Sequence, residues 1–197
     1  AGVATTFGTT GKLRHSDLVM YDRASESWWQ QFTGRAIAGE HAGAELTPLP
    51  ARLESLARFA ERHPEGRVLV PGDPQGRAYG RNPYAGYDRA AQPFLYDGRY
   101  DGPGRALMRV VGVDGHDHAW SLPLVRARGE IDDGDLVIRW RPGRRSALDA
   151  GRIADSRDIG QVEVLRRSAE GRLEEVVHGL PFAFAWRAFN PDGVIHH

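Results

Sequence analysis

Seven side chains in two short stretches have the chemistry of a polar-ligand site. Asp17 and Tyr21 lie within Ser16–Arg23, and the paired indoles Trp28 and Trp29 follow. Arg81, Asn82 and Tyr84 lie in Gly80-Arg81-Asn82-Pro83-Tyr84, where proline narrows the freedom of the backbone. Together they offer a fixed cation, an amide and a carboxylate beside an aromatic wall, the mix by which a pocket orients a small polar or anionic ligand. A structural reading competes with this one: Arg81 anchors its loop through Asp17 or Asp22, and both tryptophans serve only packing.

Other groupings offer less. His116-Asp117-His118 has the spacing of a metal clip, because residues two apart share one face of a strand. It also follows Asp114-Gly115 at a hairpin tip, where polar residues belong in any case. His196-His197 is terminal, native or added. Arg14-His15-Ser16-Asp17 gathers a donor, an acid/base, a hydroxyl and a carboxylate. Neighbours on one strand face apart and there is no Gly-x-Ser-x-Gly elbow, so a serine-type nucleophile is disfavoured. Ser16 and Asp17 are expected to order the turn or bind nearby backbone. Tyr21-Asp22-Arg23 and Ser156-Arg157-Asp158 pair a cation with acceptors, in a structural or a ligand-binding role. Gly8-Thr9-Thr10-Gly11-Lys12 lacks the first glycine and the Ser/Thr of a phosphate loop. No metal and no cofactor is implied.

The elements that must position these residues are mostly strands. Asp17–Asp22 and Trp28–Phe32 read as a hairpin across Ala24-Ser25-Glu26-Ser27. Adjacent strand residues face opposite sides, so Trp28 and Trp29 are expected in different environments. Val3–Phe7, Arg35–Gly39 and Ala44–Thr47 are further short strands. Leu49, Leu53, Leu56 and Phe59 recur at helical spacing between Pro50 and Pro64, which predicts a covering helix over Ala51–His63. Arg67–Val70 reads as a buried strand. Pro71–Gly104 carries five of the six tyrosines and is expected to wrap the body with its rings pinned. Beyond it, Leu107–Val113, His118–Trp120, Leu136–Trp140, Val162–Arg166 and Leu173–Val177 read as strands, with a helical turn at Leu122–Arg128 and another at Ser146–Ile153. Pro181–Phe189 begins with strand-like alternation.

Composition sets the outer bounds. At 197 residues the chain is one domain or a compact pair of sub-domains. Formal net charge is zero, which gives no electrostatic case for nucleic acid. The absence of cysteine removes disulfides, thiolate catalysis and cysteine-ligated metals. No apolar run approaches the roughly 18–20 residues of a membrane span. Lys12 is the only lysine. The remaining cations are arginines, whose forked guanidinium suits carboxylate and phosphate ligands.

Several segments resemble one family, the bacterial and archaeal domain of unknown function 3179. They are Phe7-Gly8 through Leu13, Ser16–Arg23, Glu26–Gln31, Ala36–Gly39, Leu49–Arg52, His63–Leu69, Tyr79–Tyr84 and Ser146–Asp149, and the likeness continues to Phe182-Ala183-Phe184. The family carries no settled activity. The resemblance implies an exported or membrane-associated setting and a Cys-Pro-x-Cys-like segment, with selenocysteine in some members, before the Phe-Gly strand. This chain has no such cysteines. It also implies an internal duplication, with Val110–Gly143 matching the part that precedes the cysteines in a first copy.

These readings give an α+β chain, mainly antiparallel β with one clear covering helix. Residues 1–104 would hold the end of a first β-unit with the helix and the tyrosine-rich loop, and residues 105–197 a second β-unit in one body. Two functions are expected as alternatives. One is an extracytoplasmic non-enzymatic module for a small polar or anionic ligand or a protein partner. The other is a thiol- or selenol-dependent oxidoreductase domain whose redox residue lies outside this chain.

Overall fold

The structure is a computed structural model that describes residues 4–94, 96 and 98–197. Val3, at the head of the expected first strand, lies outside them. The strands are β1 (Phe7–Arg14), β2 (Asp17–Asp22), β3 (Trp28–Gln30), β4 (Ala36–Ala38), β5 (Val110–Val113), β6 (His118–Ser121), β7 (Glu130–Asp133), β8 (Leu136–Arg141), β9 (Gln161–Arg167), β10 (Leu173–Glu175), β11 (His178–Gly179) and β12 (Val194–His196). The helices are α1 (Leu56–Arg62), α2 (Leu122–Arg128) and α3 (Ala183–Phe189). The strands form three four-stranded sheets, ordered β1-β2-β3-β4, β10-β9-β8-β7 and β11-β5-β6-β12. Neighbours are antiparallel except β6 and β12, which run parallel.

The first sheet is a meander. Its leading turn places His15 and Ser16 at φ 53° and 62°, the left-handed pair that a two-residue hairpin loop requires. The next turn is organised by Asp22, whose carboxylate accepts from the amides of Ala24 and Ser25, the Ser25 hydroxyl and the Trp29 indole. Trp29 is therefore buried at 6% exposure, while Trp28 stands at 36%. The two indoles differ as strand parity predicts, and the hydrogen bond to Asp22 holds Trp29 inside.

The main core lies between the second and third sheets. Val111, Val113 and Trp120 on one face of β5 and β6 meet Leu136 and Ile138 of β8, Val162 and Val164 of β9, and Leu122 and Val125 of α2. The opposite face of the third sheet, Val110, Ala119 and Ile195, packs on Ala183 and Trp186 of α3. Each such aliphatic side chain contributes about 1.5–3 kcal/mol on burial. The first sheet docks on α3 through Phe32, which stacks on Phe189 with ring centroids 4.5 Å apart.

Three expectations are corrected. The covering helices are α2 and α3. Helix α1 is shorter than Ala51–His63, because Ser55 takes the N-cap position, and it buries no residue. It is tethered by Arg52, which pairs with Glu163 and Glu175 of the β9–β10 hairpin, and by Arg62 on Glu54. Arg67–Val70 is neither a strand nor buried: no neighbouring strand pairs with it, and Leu69 is 99% exposed. Pro181–Phe189 alternates only through Phe182 and then turns into α3, so that Phe184 and Trp186 face two different cores.

The tyrosine-rich segment divides in two. From Pro71 to Arg81 the backbone bonds mostly to itself and every residue is exposed, Tyr79 included. From Asn82 onward it is laced to 148–151: Asn82 N donates to Gly151 O at 2.9 Å, Gly86 N to Asp149 O at 2.7 Å, and Asp88 N to Leu148 O at 3.2 Å. Tyr87, Tyr96 and Tyr100 then pack around Leu107 and Phe184, as expected of pinned rings. Tyr84 remains exposed against Phe94.

Candidate functional site

The seven residues singled out in the sequence fall into two groups. On the first sheet, Asp17 accepts from the Gln30 amide at 2.6 Å and the Phe32 N–H at 2.9 Å. It thus holds β2 to the end of β3. The Tyr21 ring covers Gly8, and its hydroxyl accepts from Arg23 at 3.2 Å. Trp28 is at the surface and Trp29 is in the core. In the second group the buried Asn82 donates to Ala150 O and accepts from Tyr84 N, a turn-locking role. Arg81 bridges Arg152 through its backbone and leaves its side chain exposed. The first four belong to the hairpin sheet and the other three to the segment laced onto 148–152.

Cavities open elsewhere around the described residues, and four of them are lined by none of the seven. The widest, about 950 Å³, runs between the first and third sheets over Phe32, Leu46, Val177, Trp186 and Phe189. Its one arginine, Arg35, already faces Glu45 at 3.8 Å. A second, about 410 Å³, is different in character. Arg105, Arg109, Arg126 and Arg157 line it with Asp88 and His197, over an apolar base that includes Leu107, Met108, Leu122 and Ile159.

This arginine pocket is built from distant pieces. Arg109, one residue before β5, donates to Asp88 at 3.0 Å and to Leu180 O at 3.3 Å, and its guanidinium lies 4.6 Å from the centroid of the Phe182 ring. Arg105 donates to the carbonyls of Asp88 and Ala90, which fixes the far end of the laced segment. Arg126 leaves α2 over the Trp140 ring at 5.2 Å. Arg157 pairs with Asp149 at 3.1 Å. Asp88 also accepts from Ser146. Arg144 is buried near Arg109 and Asp88, and burial, then repulsion from Arg109, makes its charged form less favourable. Among the described residues, Arg109 Nε and Arg144 Nη2 are buried donors with no acceptor. The pocket therefore concentrates positive charge beyond what Asp88 and Asp149 balance.

A family model described as "Protein of unknown function (DUF3179)" matches residues 1–193. The chain belongs to this family. No curated protein and no solved structure matches it. In this DUF3179 chain, no helix among the described residues is long and apolar enough to cross a membrane.

Sequence reasoning singled out Arg157, within Ser156-Arg157-Asp158, and missed Arg105, Arg109 and Arg126. The four are spread over 105–157 with no motif joining them, and the only signal for the other three was the near-exclusive use of arginine. The His-x-His clip also changes character. His116 lies in the turn before β6, and its Nδ1 accepts from His118 N at 3.3 Å. The His118 ring lies edge-on to that of His116 and meets His196 with Nδ1 and Nε2 2.9 Å apart, and the Asp133 carboxylate completes a group of possible metal ligands within 4.8 Å of one another.

Proposed function

We propose that this protein is a non-enzymatic module that binds a small anion, a carboxylate or phosphate compound, in the pocket of Arg105, Arg109, Arg126 and Arg157. The observation that carries this reading is the surplus of guanidinium donors. Four arginines face one space; Asp88 pairs with Arg109 and Asp149 with Arg157, which leaves Arg105 and Arg126 without a carboxylate partner among the described residues, and two buried donors nearby lack acceptors. Guanidinium forks match the geometry of carboxylate and phosphate oxygens. A volume of about 410 Å³ suits a compact ligand, and the apolar base would strengthen the charged contacts above it. The extracytoplasmic setting rests on the family resemblance.

The test is a titration with inorganic phosphate and, separately, succinate, followed through the guanidinium Nε–H signals in NMR. Signals of Arg105, Arg109, Arg126 and Arg157 should move together, with saturation by the millimolar range, about 4 kcal/mol of binding. Arg126→Ala should weaken the response without unfolding the protein, because Arg126 is exposed and makes no ion pair among the described residues. Arg109 is the wrong residue to remove, since breaking a buried pair costs about 3–5 kcal/mol. Failure of these four signals to shift with either probe would refute the proposal.

A further inference from the structure

We propose that His118, His196 and Asp133 form a binding site for a divalent transition-metal cation of the zinc class. Three elements converge to make it. His118 opens β6, and strand parity puts its ring on the same face as Trp120. The parallel pairing of β12 sets His196 opposite Trp120, and the two rings stack with centroids 5.6 Å apart. The β7–β8 turn then brings Asp133 over the same face.

The donor atoms are already close to coordinating positions. His118 Nδ1 and His196 Nε2 lie 2.9 Å apart. Two nitrogens each about 2.0–2.1 Å from one zinc ion would stand roughly 3 Å apart. The Asp133 side chain is exposed at a hairpin tip, so it can swing inward by rotamer change. Without a cation the two rings share one hydrogen. A cation bound between them takes both lone pairs, and that hydrogen moves to the far nitrogen of its ring or leaves. On His118 the far nitrogen, Nε2, lies 3.9 Å from Asp117, an acceptor of the kind that orients metal-bound imidazoles.

The surroundings favour a cation with open coordination. A cavity of about 320 Å³ adjoins the group, lined by Trp120, Asp133 and His196 together with Glu130, Asp132 and Arg128. Glu130 pairs with Arg139 and Asp132 with Arg167, which leaves Asp133 as the carboxylate of this lining with no ion pair among the described residues. Two imidazoles and a carboxylate facing open space leave room for water or a ligand on the metal, as in sites where zinc or iron(II) keeps exchangeable positions.

Calorimetric titration of the full chain with Zn²⁺, and with Co²⁺ followed by visible absorption, tests this. One equivalent should bind, and Co²⁺ should give ligand-field bands. His118→Gln and Asp133→Asn should each weaken binding more than about tenfold, since loss of even an outer-shell partner costs that much. His41→Ala, at an exposed turn after β4, should leave cation binding unchanged. Asp133→Asn sits on an exposed turn and leaves the fold intact, so its result stands even if His118→Gln misfolds. Absence of stoichiometric binding, binding indifferent to Asp133→Asn, or binding lost in His41→Ala would each overturn the site.

Discussion

Replacing Gly193 by alanine should destabilise the protein through the seat of Trp186. That indole is buried and held among Val110, Ala119, Ala183 and Ile195. An alanine Cβ at 193 would stand 2.9 Å from both the Asp117 carbonyl oxygen and Trp186 Cζ3, with Cη2 closer still. The carbonyl is fixed, because it accepts from Val194 N at 2.9 Å. The ring cannot withdraw either, since Gly112 lies against its pyrrole edge, where a Cβ would be 2.9 Å away. Overpacking of this kind costs about 1–3 kcal/mol. For a chain of this length that is a fall of about 2–12 °C in Tm, at roughly 2–4 °C per kcal/mol. Gly72→Ala is the reference, because its Cβ meets nothing and its backbone is ordinary; it should be neutral, or stabilising by at most about 1 kcal/mol. Urea unfolding of both variants gives the comparison. Repeating Gly193→Ala in a Trp186→Phe background removes the clashing ring atoms, so the cost should shrink by more than about 0.5 kcal/mol, beyond simple additivity. Equal stabilities for Gly193→Ala and Gly72→Ala, or strict additivity in the cycle, would refute the reasoning.

Two more predictions concern charge. Asp22 is held below the carboxylate range by the Trp29 indole and the Ser25 hydrogen bonds, Asp149 by Arg89 and Arg157, and Glu175 by Arg52. Their contribution is complete above the ordinary values of 3.8 and 4.5 and is lost as pH falls below them, so urea midpoints should drop under pH 4. Asp22→Asn should be less stable at neutral pH and show a shallower acid slope. Helix α1, with no buried residue, is tied to the β9–β10 hairpin by Arg52. Arg52→Ala, or molar salt, should therefore erase hydrogen-exchange protection over 56–62 while the main-core amides keep theirs.

Where the sequence carried a periodic signal with a partner close by, the fold was legible. The hairpin of β2 and β3, and the strands β5, β6, β8, β9 and β10, alternate between turns such as Asp114-Gly115 and Glu170-Gly171, whose glycines take positive φ. The same logic failed where apolar spacing did not lead to burial. Leu53, Leu56 and Leu69 have the right character for burial, yet they remain exposed; Leu53 borders a cavity whose β8 and β9 lining includes the charged Arg139, Arg141 and Glu163. α3 was hidden by aromatic residues that suit strand and helix alike. Short β12 gave no signal, since its pairing depends on β6 from far upstream. The two candidate sites were legible only as fragments, Arg157 in one and His118 and His196 in the other: the arginine pocket joins four separated positions, and Asp133 meets His196 only after the third sheet is complete.

The parallel docking of β12 on β6 also orders the events of folding. The β1–β4 meander joins chain neighbours and can form while synthesis continues. The third sheet cannot be completed until β12 emerges, so one side of β6 waits with an open hydrogen-bonding edge beside Ala119 and Trp120. Until then that edge is a template on which another nascent chain can pair, and the growing polypeptide is most prone to aggregate in that interval.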